Sequence, residues 1–150
     1  MLTIREGTEE SAPYKTFLQE KIRTYNNEQS PHHAKKRRAA VYPVHVMVFE
    51  EEQIVGGIYG EIYWGWLEIE FLYLPDSLRA QGLGSQLLHR IETLARQSGV
   101  NRVLVTTFSF QAYDFYQKYG YETVGVIADY PPGFSHYTLV KHFIPSSGSA

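Results

Sequence analysis

A short segment after an apolar strand has the residue types of an anion site: Arg79-Ala80-Gln81-Gly82-Leu83-Gly84. Its glycines let a bulky anion approach the backbone. The helix that is predicted to begin at Gly82 presents unpaired N–H groups and a partial positive charge, and Arg79 adds a forked cationic donor. This pattern favours a pyrophosphate site, with an ordinary strand-to-helix turn as the alternative.

Two familiar nucleotide motifs do not fit this segment. A P-loop needs a lysine before its Ser or Thr, and Ser85 follows Gly84 directly. A dinucleotide-binding fingerprint needs three spaced glycines and an acidic residue about 20 positions further on. Only two glycines occur here, so the segment is not predicted to bind a nucleotide in either of these ways.

Three more side chains could transfer protons. Glu68 and Glu70 alternate onto one side of a predicted strand, where paired carboxylates are unusual unless they meet a cleft. A solvated face or ion pairs would also explain them. Tyr116 lies on the apolar face of a predicted helix, and its spacing alone favours core packing over catalysis.

The elements that must position these residues are predicted to form one α/β domain with a mixed sheet. Residues 11–27 and 82–97 have the spacing of amphipathic helices, and Ser109 could cap a third helix that carries Tyr116. Residues 44–49, 54–63 and 67–74 should form an antiparallel meander. The other predicted strands are residues 2–4, 102–107, 121–128 and 135–143.

The composition limits the class of protein. The chain has 150 residues with 43% hydrophobic content, which fits a single domain, predicted over residues 1–145 and followed by a flexible tail at 146–150. A net charge of −2 argues against nucleic acid as a partner. No cysteine is present, which excludes a thiol nucleophile and thiolate metal sites. Because neither a signal peptide nor a membrane-length apolar run is found, we expect a cytoplasmic protein without a membrane partner.

With these features together, the sequence resembles the GNAT (N-acetyltransferase) superfamily, and within it a small bacterial single-domain subgroup. The family pattern Arg/Gln-x-x-Gly-x-Gly/Ala appears after the apolar stretch Phe71-Leu72-Tyr73-Leu74-Pro75. A second signature follows as Ala112-Tyr113-Asp114-Phe115-Tyr116-Gln117-Lys118-Tyr119-Gly120-Tyr121. The resemblance extends over residues 2–144. It implies the GNAT-type acyl-CoA N-acyltransferase fold, with a mainly antiparallel N-terminal half and parallel strands that splay in the middle of the sheet.

The resemblance also implies a reaction, in which an amine attacks the thioester of acetyl-CoA without a metal. It makes Tyr116 the general acid for the departing thiolate, and it makes Glu68 or Glu70 the base unless water serves. Ser109 would meet the pantetheine arm where many members have Asn. The backbone contacts with acetyl-CoA would come from Leu72, Tyr73, Leu74, Arg79, Ala80, Gln81, Gly82, Leu83, Gly84 and Ser85.

The acceptor amine stays open between a small molecule and a peptide. The two alternatives to an enzyme are an acyl-CoA-binding sensor or regulatory domain and a protein-interaction module that uses the aromatic loops. Homodimers are common in the superfamily, so the resemblance also allows a homodimer.

Three other groups of residues have no assigned role. The basic run 35–38 is one, and the pair His32 and His33, which lack a third metal ligand, is another. The third group consists of aromatic residues that could either wall the acceptor pocket or cap the sheet, namely Trp64, Trp66 and Tyr130.

Overall fold

The computed structural model describes residues 1–33 and 41–143. These residues divide into two compact units, one within Met1–Ala40 and one within Val41–Ala150. The predicted basic run at 35–38 and the predicted tail at 146–150 lie outside the described residues. The prediction of one domain over residues 1–145 stays a prediction.

The first unit contains helix α1, Ala12–Gln29. Ser11 caps it, since the Ser11 hydroxyl oxygen accepts a hydrogen bond from the amide of Tyr14 at 3.4 Å. Pro13 in the first turn needs no intrahelical acceptor for its nitrogen. The helix predicted at 11–27 is therefore confirmed. The strand predicted at 2–4 is wrong, because those residues have no regular structure and a strand is stable only when it is paired.

The second unit is a six-stranded sheet with helices. Its strands are β1 (Tyr42–Glu50), β2 (Gln53–Tyr63), β3 (Trp66–Tyr73), β4 (Arg102–Phe108), β5 (Glu122–Ala128) and β6 (Ser135–His142). They lie in the order β1-β2-β3-β4-β6-β5, and every neighbouring pair is antiparallel except β3 and β4. The helices are α2 (Asp76–Arg79), α3 (Leu83–Gln97) and α4 (Tyr113–Lys118). This mixed sheet confirms the predicted α/β class.

Helix α3 packs its apolar stripe into the core of this unit. Its side chains at helical spacing are buried together with strand residues in one cluster, which includes Leu88, Ile91, Ile58, Leu67, Val103 and Leu139. Each such side chain contributes about 1.5–3 kcal/mol by its removal from water. Gly99 ends the helix region with a φ of 84°, a left-handed conformation that glycine adopts without strain. The packing therefore fixes the N-terminus of α3 at one end of the sheet.

Strands β3 and β4 pair over only a short length. The parallel register runs from Leu67 opposite Val103 to Ile69 opposite Val105. A register shift between β2 and β3 leaves Glu70 as an extra residue, because Gly60 faces Ile69 and Tyr59 faces Phe71. Beyond Ile69, within the described part of the chain, β3 and β4 have no further pairing. The predicted splay in the middle of the sheet is confirmed, and it opens a gap between the two strand ends.

Helix α4 begins differently from the sequence prediction. Its N-cap residue is Ala112, not Ser109. The backbone amide of Ala112 instead donates to the hydroxyl of buried Thr107 at 3.2 Å. Ser109 binds the start of β6, because its amide donates to the carbonyl of Ser135 and its hydroxyl accepts from the amide of Ser135. The prediction that Ser109 caps this helix was wrong because β6 lies too far along the chain for the local pattern to reveal it.

Candidate active site

A cavity of about 580 Å³ lies where β3 and β4 separate. The end of β3, the start of α3, the end of β4 and the start of α4 all contribute to its wall. The lining residues are Ile69, Glu70, Phe71, Leu72, Tyr73, Leu74, Arg79, Gly84, Val105, Thr106, Thr107, Phe110, Gln111, Ala112, Phe115 and Tyr116. The structure therefore brings the predicted strand, the predicted anion segment and Tyr116 to one place.

The N-terminus of α3 presents open amides, and Gly84 in its first turn lines this cavity. The first bond of the helix runs from the amide of Gln86 to the carbonyl of Gly82, and no side chain caps the helix. In the part of the chain that the structure describes, the amides of Leu83, Gly84 and Ser85 have no protein acceptor. Together with the helix dipole, these donors favour an anion such as a phosphate.

Two glycines keep this helix start accessible. Gly82 has a φ of 75°, which is the left-handed conformation that turns the chain from α2 into α3. At Gly84, a Cβ atom would lie 3.3 Å from the Phe115 ring of α4. A side chain there would therefore press against α4 and cover backbone that borders the cavity.

Arg79 is held at the end of β3 by its own side chain. Its Nε donates to the carbonyl of Leu74 at 2.7 Å, and its Nη1 lies 2.8 Å from the carboxylate of Asp76. The side chain is still 60% exposed, so the solvated ion pair contributes little to stability. The guanidinium therefore keeps donors for an anion beside the open amides of α3.

Tyr116 lines the cavity and is 2% exposed. Its ring packs edge-on against Tyr121, with the ring centroids 5.3 Å apart. Among the described residues its hydroxyl has no hydrogen-bond partner, and burial raises the pKa of Tyr116 above its ordinary value. A buried phenol of this kind stays protonated and can donate a proton or a hydrogen bond to a group in the cavity.

Tyr121, which supports Tyr116, is part of a buried polar network. Its hydroxyl donates to the carboxylate of Glu92 at 2.7 Å, and the ammonium of Lys141 donates to both oxygens of Glu92 at 3.0 and 3.2 Å. Burial and the negative charge of Glu92 raise the pKa of Tyr121. The network joins α3 to β6 and to the end of α4, so the Tyr121 ring is a fixed wall behind Tyr116.

The two predicted carboxylates lie in different surroundings. Glu70 lines the cavity. Glu68 does not, and its carboxylate accepts a hydrogen bond from the hydroxyl of Tyr63. The bulge at Glu70 interrupts the alternation that was expected to place both side chains on one face. The structure therefore places one of the two candidates in the cavity that Tyr116 also lines.

Several other predicted residues are not brought to the cavity. Ser109 does not line it. Gln81 donates its side-chain amide to the carbonyl of Ser77, and the hydroxyl of Ser85 donates to the carbonyl of Gly82. Trp64 and Trp66 lie at the opposite end of β3 from the cavity, and Trp66 packs under the guanidinium of Arg102 at 4.5 Å. These two tryptophans therefore do not wall it.

Sequence reasoning missed part of the wall. Thr106, Thr107 and Gln111 follow the part of β4 that pairs with β3, and Phe110 lines the cavity with them. The signal that could have found them is their position at the carboxyl end of a buried strand next to a parallel neighbour, where sheets of this kind bind ligands. The Nδ1 atom of His136, on β6, is buried and has no hydrogen-bond partner in the described residues.

Two features of other classes of protein are absent from the described residues. Residues 1–33 and 41–143 contain no group of three or more His, Cys, Asp or Glu side chains that could hold a metal ion. Within the same ranges, no helix has both the length and the apolar character needed to cross a bilayer.

Comparison with known proteins gives consistent matches. The model of the Acetyltransferase (GNAT) family matches residues 8–121. A blasticidin-S acetyltransferase from Streptomyces morookaense is 37% identical over 129 residues, which are 81% of this chain and 95% of that protein. The crystal structure of an acetyltransferase from Bacillus cereus is 34% identical with a TM-score of 0.77, covering 93% of this chain and 98% of that one. The PaiA N-acetyltransferase of Thermoplasma acidophilum, solved in complex with coenzyme A, shares the fold at 17% identity, with a TM-score of 0.59 and coverage of 89% and 80%.

Proposed function

Because the chain belongs to the GNAT acetyltransferase family, we propose that it is an acetyl-CoA-dependent N-acetyltransferase that transfers the acetyl group to a primary amine of a small molecule or peptide. The observation that carries this proposal is the cavity at the β3–β4 splay. Its wall includes the start of α3, Arg79 and a buried tyrosine whose pKa is raised by burial. The start of α3 and Arg79 suit the pyrophosphate of coenzyme A, and the tyrosine suits a thiolate leaving group.

The residues divide the work by their chemistry. The amides at the start of α3 and the Arg79 guanidinium would hold the pyrophosphate. The unpaired edge of β3 at Leu72 and Tyr73 would lie along the pantetheine arm and offer amides to the oxyanion that develops in the transition state. Tyr116 would give its proton to the thiolate of coenzyme A as the C–S bond breaks, since its raised pKa keeps the proton available at neutral pH.

Glu70 is our candidate for the base. An alkylamine with a pKa of about 10.4 is mostly protonated at neutral pH and cannot attack until it loses a proton. Glu70 lines the cavity and can take that proton directly or through water. Glu68 and a water molecule without a dedicated carboxylate are the alternatives.

The test is a turnover assay that follows release of the coenzyme A thiol in the presence of acetyl-CoA and a panel of primary amines. We expect amine-dependent release by the wild type. In Tyr116→Phe, kcat should fall by about 100-fold or more, because a general acid contributes at least that factor. The KM for acetyl-CoA should change little, since a phenyl ring keeps the packing on Tyr121. Tyr113→Phe, on the same helix, is the matched control. An undiminished kcat in Tyr116→Phe would remove Tyr116 from the mechanism.

Blasticidin S is the first acceptor to include, because the 37% identical relative is a blasticidin-S acetyltransferase. Spermidine, free lysine and a lysine-containing peptide represent the other amine classes. Mass spectrometry of the product shows whether the acetyl group is on nitrogen. An acceptor with a kcat/KM well above the rest would identify the class of substrate.

The alternative function is a sensor that binds acyl-CoA without turnover. Both functions predict a thermal shift with acetyl-CoA, so binding alone does not separate them. A thermal shift together with no amine-dependent release of coenzyme A across the panel would favour the sensor. The absence of any thermal shift would contradict both.

A further inference from the structure

Five aromatic side chains form a continuous cluster beside the cavity. This aromatic cluster consists of Phe108, Phe110, Tyr130, Phe134 and His136. Phe108 stacks on Phe110 with centroids 5.3 Å apart and planes 3° apart. Phe108 also contacts His136 edge-on at 5.0 Å, and Phe110 contacts Phe134 edge-on at 4.9 Å. The rings thus form a surface with fixed geometry.

The outer rings of the aromatic cluster are unusually open to solvent. Phe110 is 55% exposed, Tyr130 56% and Phe134 45%. Hydrophobic side chains exposed singly need no explanation, but a contiguous exposed group marks a binding surface more often than not. The exposed parts of these three rings are accessible to a ligand.

The backbone around the aromatic cluster is tied down without that ligand. The amide of Tyr130 donates to the carbonyl of Phe134 at 3.1 Å, and the amide of Phe134 donates to the carbonyl of Pro131 at 2.9 Å. The amide of Ser135 donates to the hydroxyl of Ser109 at 3.0 Å. These bonds close the turn between β5 and β6 and join it to the end of β4, so binding there would not have to order a loop.

The aromatic cluster continues into the cavity of the proposed active site. Phe110 belongs to both, and Glu70 lines the same cavity. Asp129, which is exposed and precedes Tyr130 in the chain, adds a second carboxylate to this turn, where it accepts from the amide of Gly133. A ligand that reaches from the aromatic cluster to Glu70 would therefore have an aromatic group at one end and a positive charge at the other.

We propose that the aromatic cluster is the specificity surface of this enzyme, and that its preferred acceptors are amines that carry a planar aromatic or heteroaromatic ring close to the amino group. This proposal rests on the proposed acetyltransferase function. The ring of the acceptor stacks against Phe110 and Phe134, because aromatic faces and edges attract one another beyond the area they bury. The amino group then lies inside the cavity, toward Glu70 and Tyr116.

The experiment compares two amines that differ only in the ring. Benzylamine and cyclohexylmethylamine have the same charge and the same number of carbon atoms, but only benzylamine has a π face. At saturating acetyl-CoA, we expect the wild type to acetylate benzylamine with a kcat/KM about 3- to 10-fold above that of its saturated twin, the range that aromatic contacts support. The difference should lie in the KM for the amine.

Variants then locate the preference. Phe110→Leu keeps an apolar side chain but removes the π face, and we expect the preference for benzylamine to fall to about one, with the KM for acetyl-CoA unchanged. Phe134→Leu is the second variant, in case Phe110→Leu folds poorly. Phe49→Leu on β1, outside both the cavity and the aromatic cluster, is the matched control and should keep the preference.

The outcomes separate this inference from the proposed function. Equal kcat/KM values for the two amines on the wild type would overturn the inference, and so would a preference that survives in both aromatic-cluster variants. If spermidine or lysine is acetylated while neither ring-bearing amine is, the inference fails and the proposed function stands. If no amine at all is acetylated, both fail.

Discussion

At the scale of single residues, the two carboxylates of β3 give a direct test of the base. Glu70 lines the cavity, whereas the Glu68 carboxylate is bound by the Tyr63 hydroxyl. We expect Glu70→Gln to lower kcat at neutral pH by about 100-fold, the lower end of the range for general base catalysis. Glu68→Gln should lower it much less, because the amide oxygen can still accept from Tyr63.

The pH dependence of this effect tests the role rather than the presence of Glu70. As the pH approaches about 10, an alkylamine acceptor loses its proton to solvent and no longer needs a base. The difference in kcat between the wild type and Glu70→Gln, measured at saturating amine, should therefore become smaller as the pH rises. A deficit that is constant over pH would assign Glu70 to binding or structure, and a larger deficit in Glu68→Gln would reverse the assignment of the base.

Residue patterns and the family resemblance predicted the end of β3, Arg79 and Tyr116, but not the cavity residues of β4 and of the loop after it. Arg79 and Tyr116 stand in motifs whose spacing is short and local, so their positions could be read from the sequence. Glu68 and Glu70 looked equivalent because a regular strand alternates strictly. The bulge that separates them depends on the pairing of β3 with β2, and no local pattern in β3 specifies it.

At the scale of elements, the start of α3 depends on the conformation of Gly82. Its φ of 75° is left-handed, while the space around a Cβ atom is open. Gly82→Ala should therefore destabilise the protein by about 1 kcal/mol through the backbone alone, as measured by urea unfolding. Gly84→Ala is the control. It lies in helical backbone, where alanine is preferred, and its Cβ would lie 3.3 Å from the Phe115 ring, which would have to shift by a few tenths of an ångström. A larger loss in Gly84→Ala would contradict this assignment.

Element boundaries could be predicted where periodicity is strong. The helix expected at 82–97 is observed as Leu83–Gln97, because its apolar residues repeat on one face and Gly82 and Gly99 bound it. The strand expected at 2–4 failed because three apolar or β-branched residues do not specify a partner strand. The start of α4 was misplaced because Ser109 binds Ser135, which is 26 positions away.

At the scale of the whole molecule, one buried carboxylate connects elements that are distant in sequence. Glu92 is 7% exposed, and it is satisfied by Tyr121, between α4 and β5, and by Lys141 on β6. Removing one partner of such a group leaves an uncompensated buried charge, which is much worse than never having had the pair. Its helical spacing places Glu92 on the apolar stripe of α3, but its partners come from other elements, so the sequence could not identify them.

The same region should make the stability of the protein sensitive to alkaline pH. Burial raises the pKa of Tyr116 and of Tyr121, and the charge of Glu92 raises that of Tyr121 further. Above a pH of about 10, tyrosines in the unfolded chain release their protons, while these two keep theirs in the folded protein. The folded state then binds more protons than the unfolded state, so the stability that is fully present below this pH falls as the pH rises. Each tyrosine adds about 1.4 kcal/mol per pH unit to that slope until its folded pKa is reached.

Urea unfolding between pH 9 and about 11.5 should show this fall in the free energy of unfolding. The variant Tyr116→Phe should remove about one tyrosine's share of the slope. The control is Tyr130→Phe, because Tyr130 is exposed. Equal slopes in the wild type and Tyr116→Phe would mean that Tyr116 ionises in the folded protein, and a general acid with a raised pKa would then be wrong.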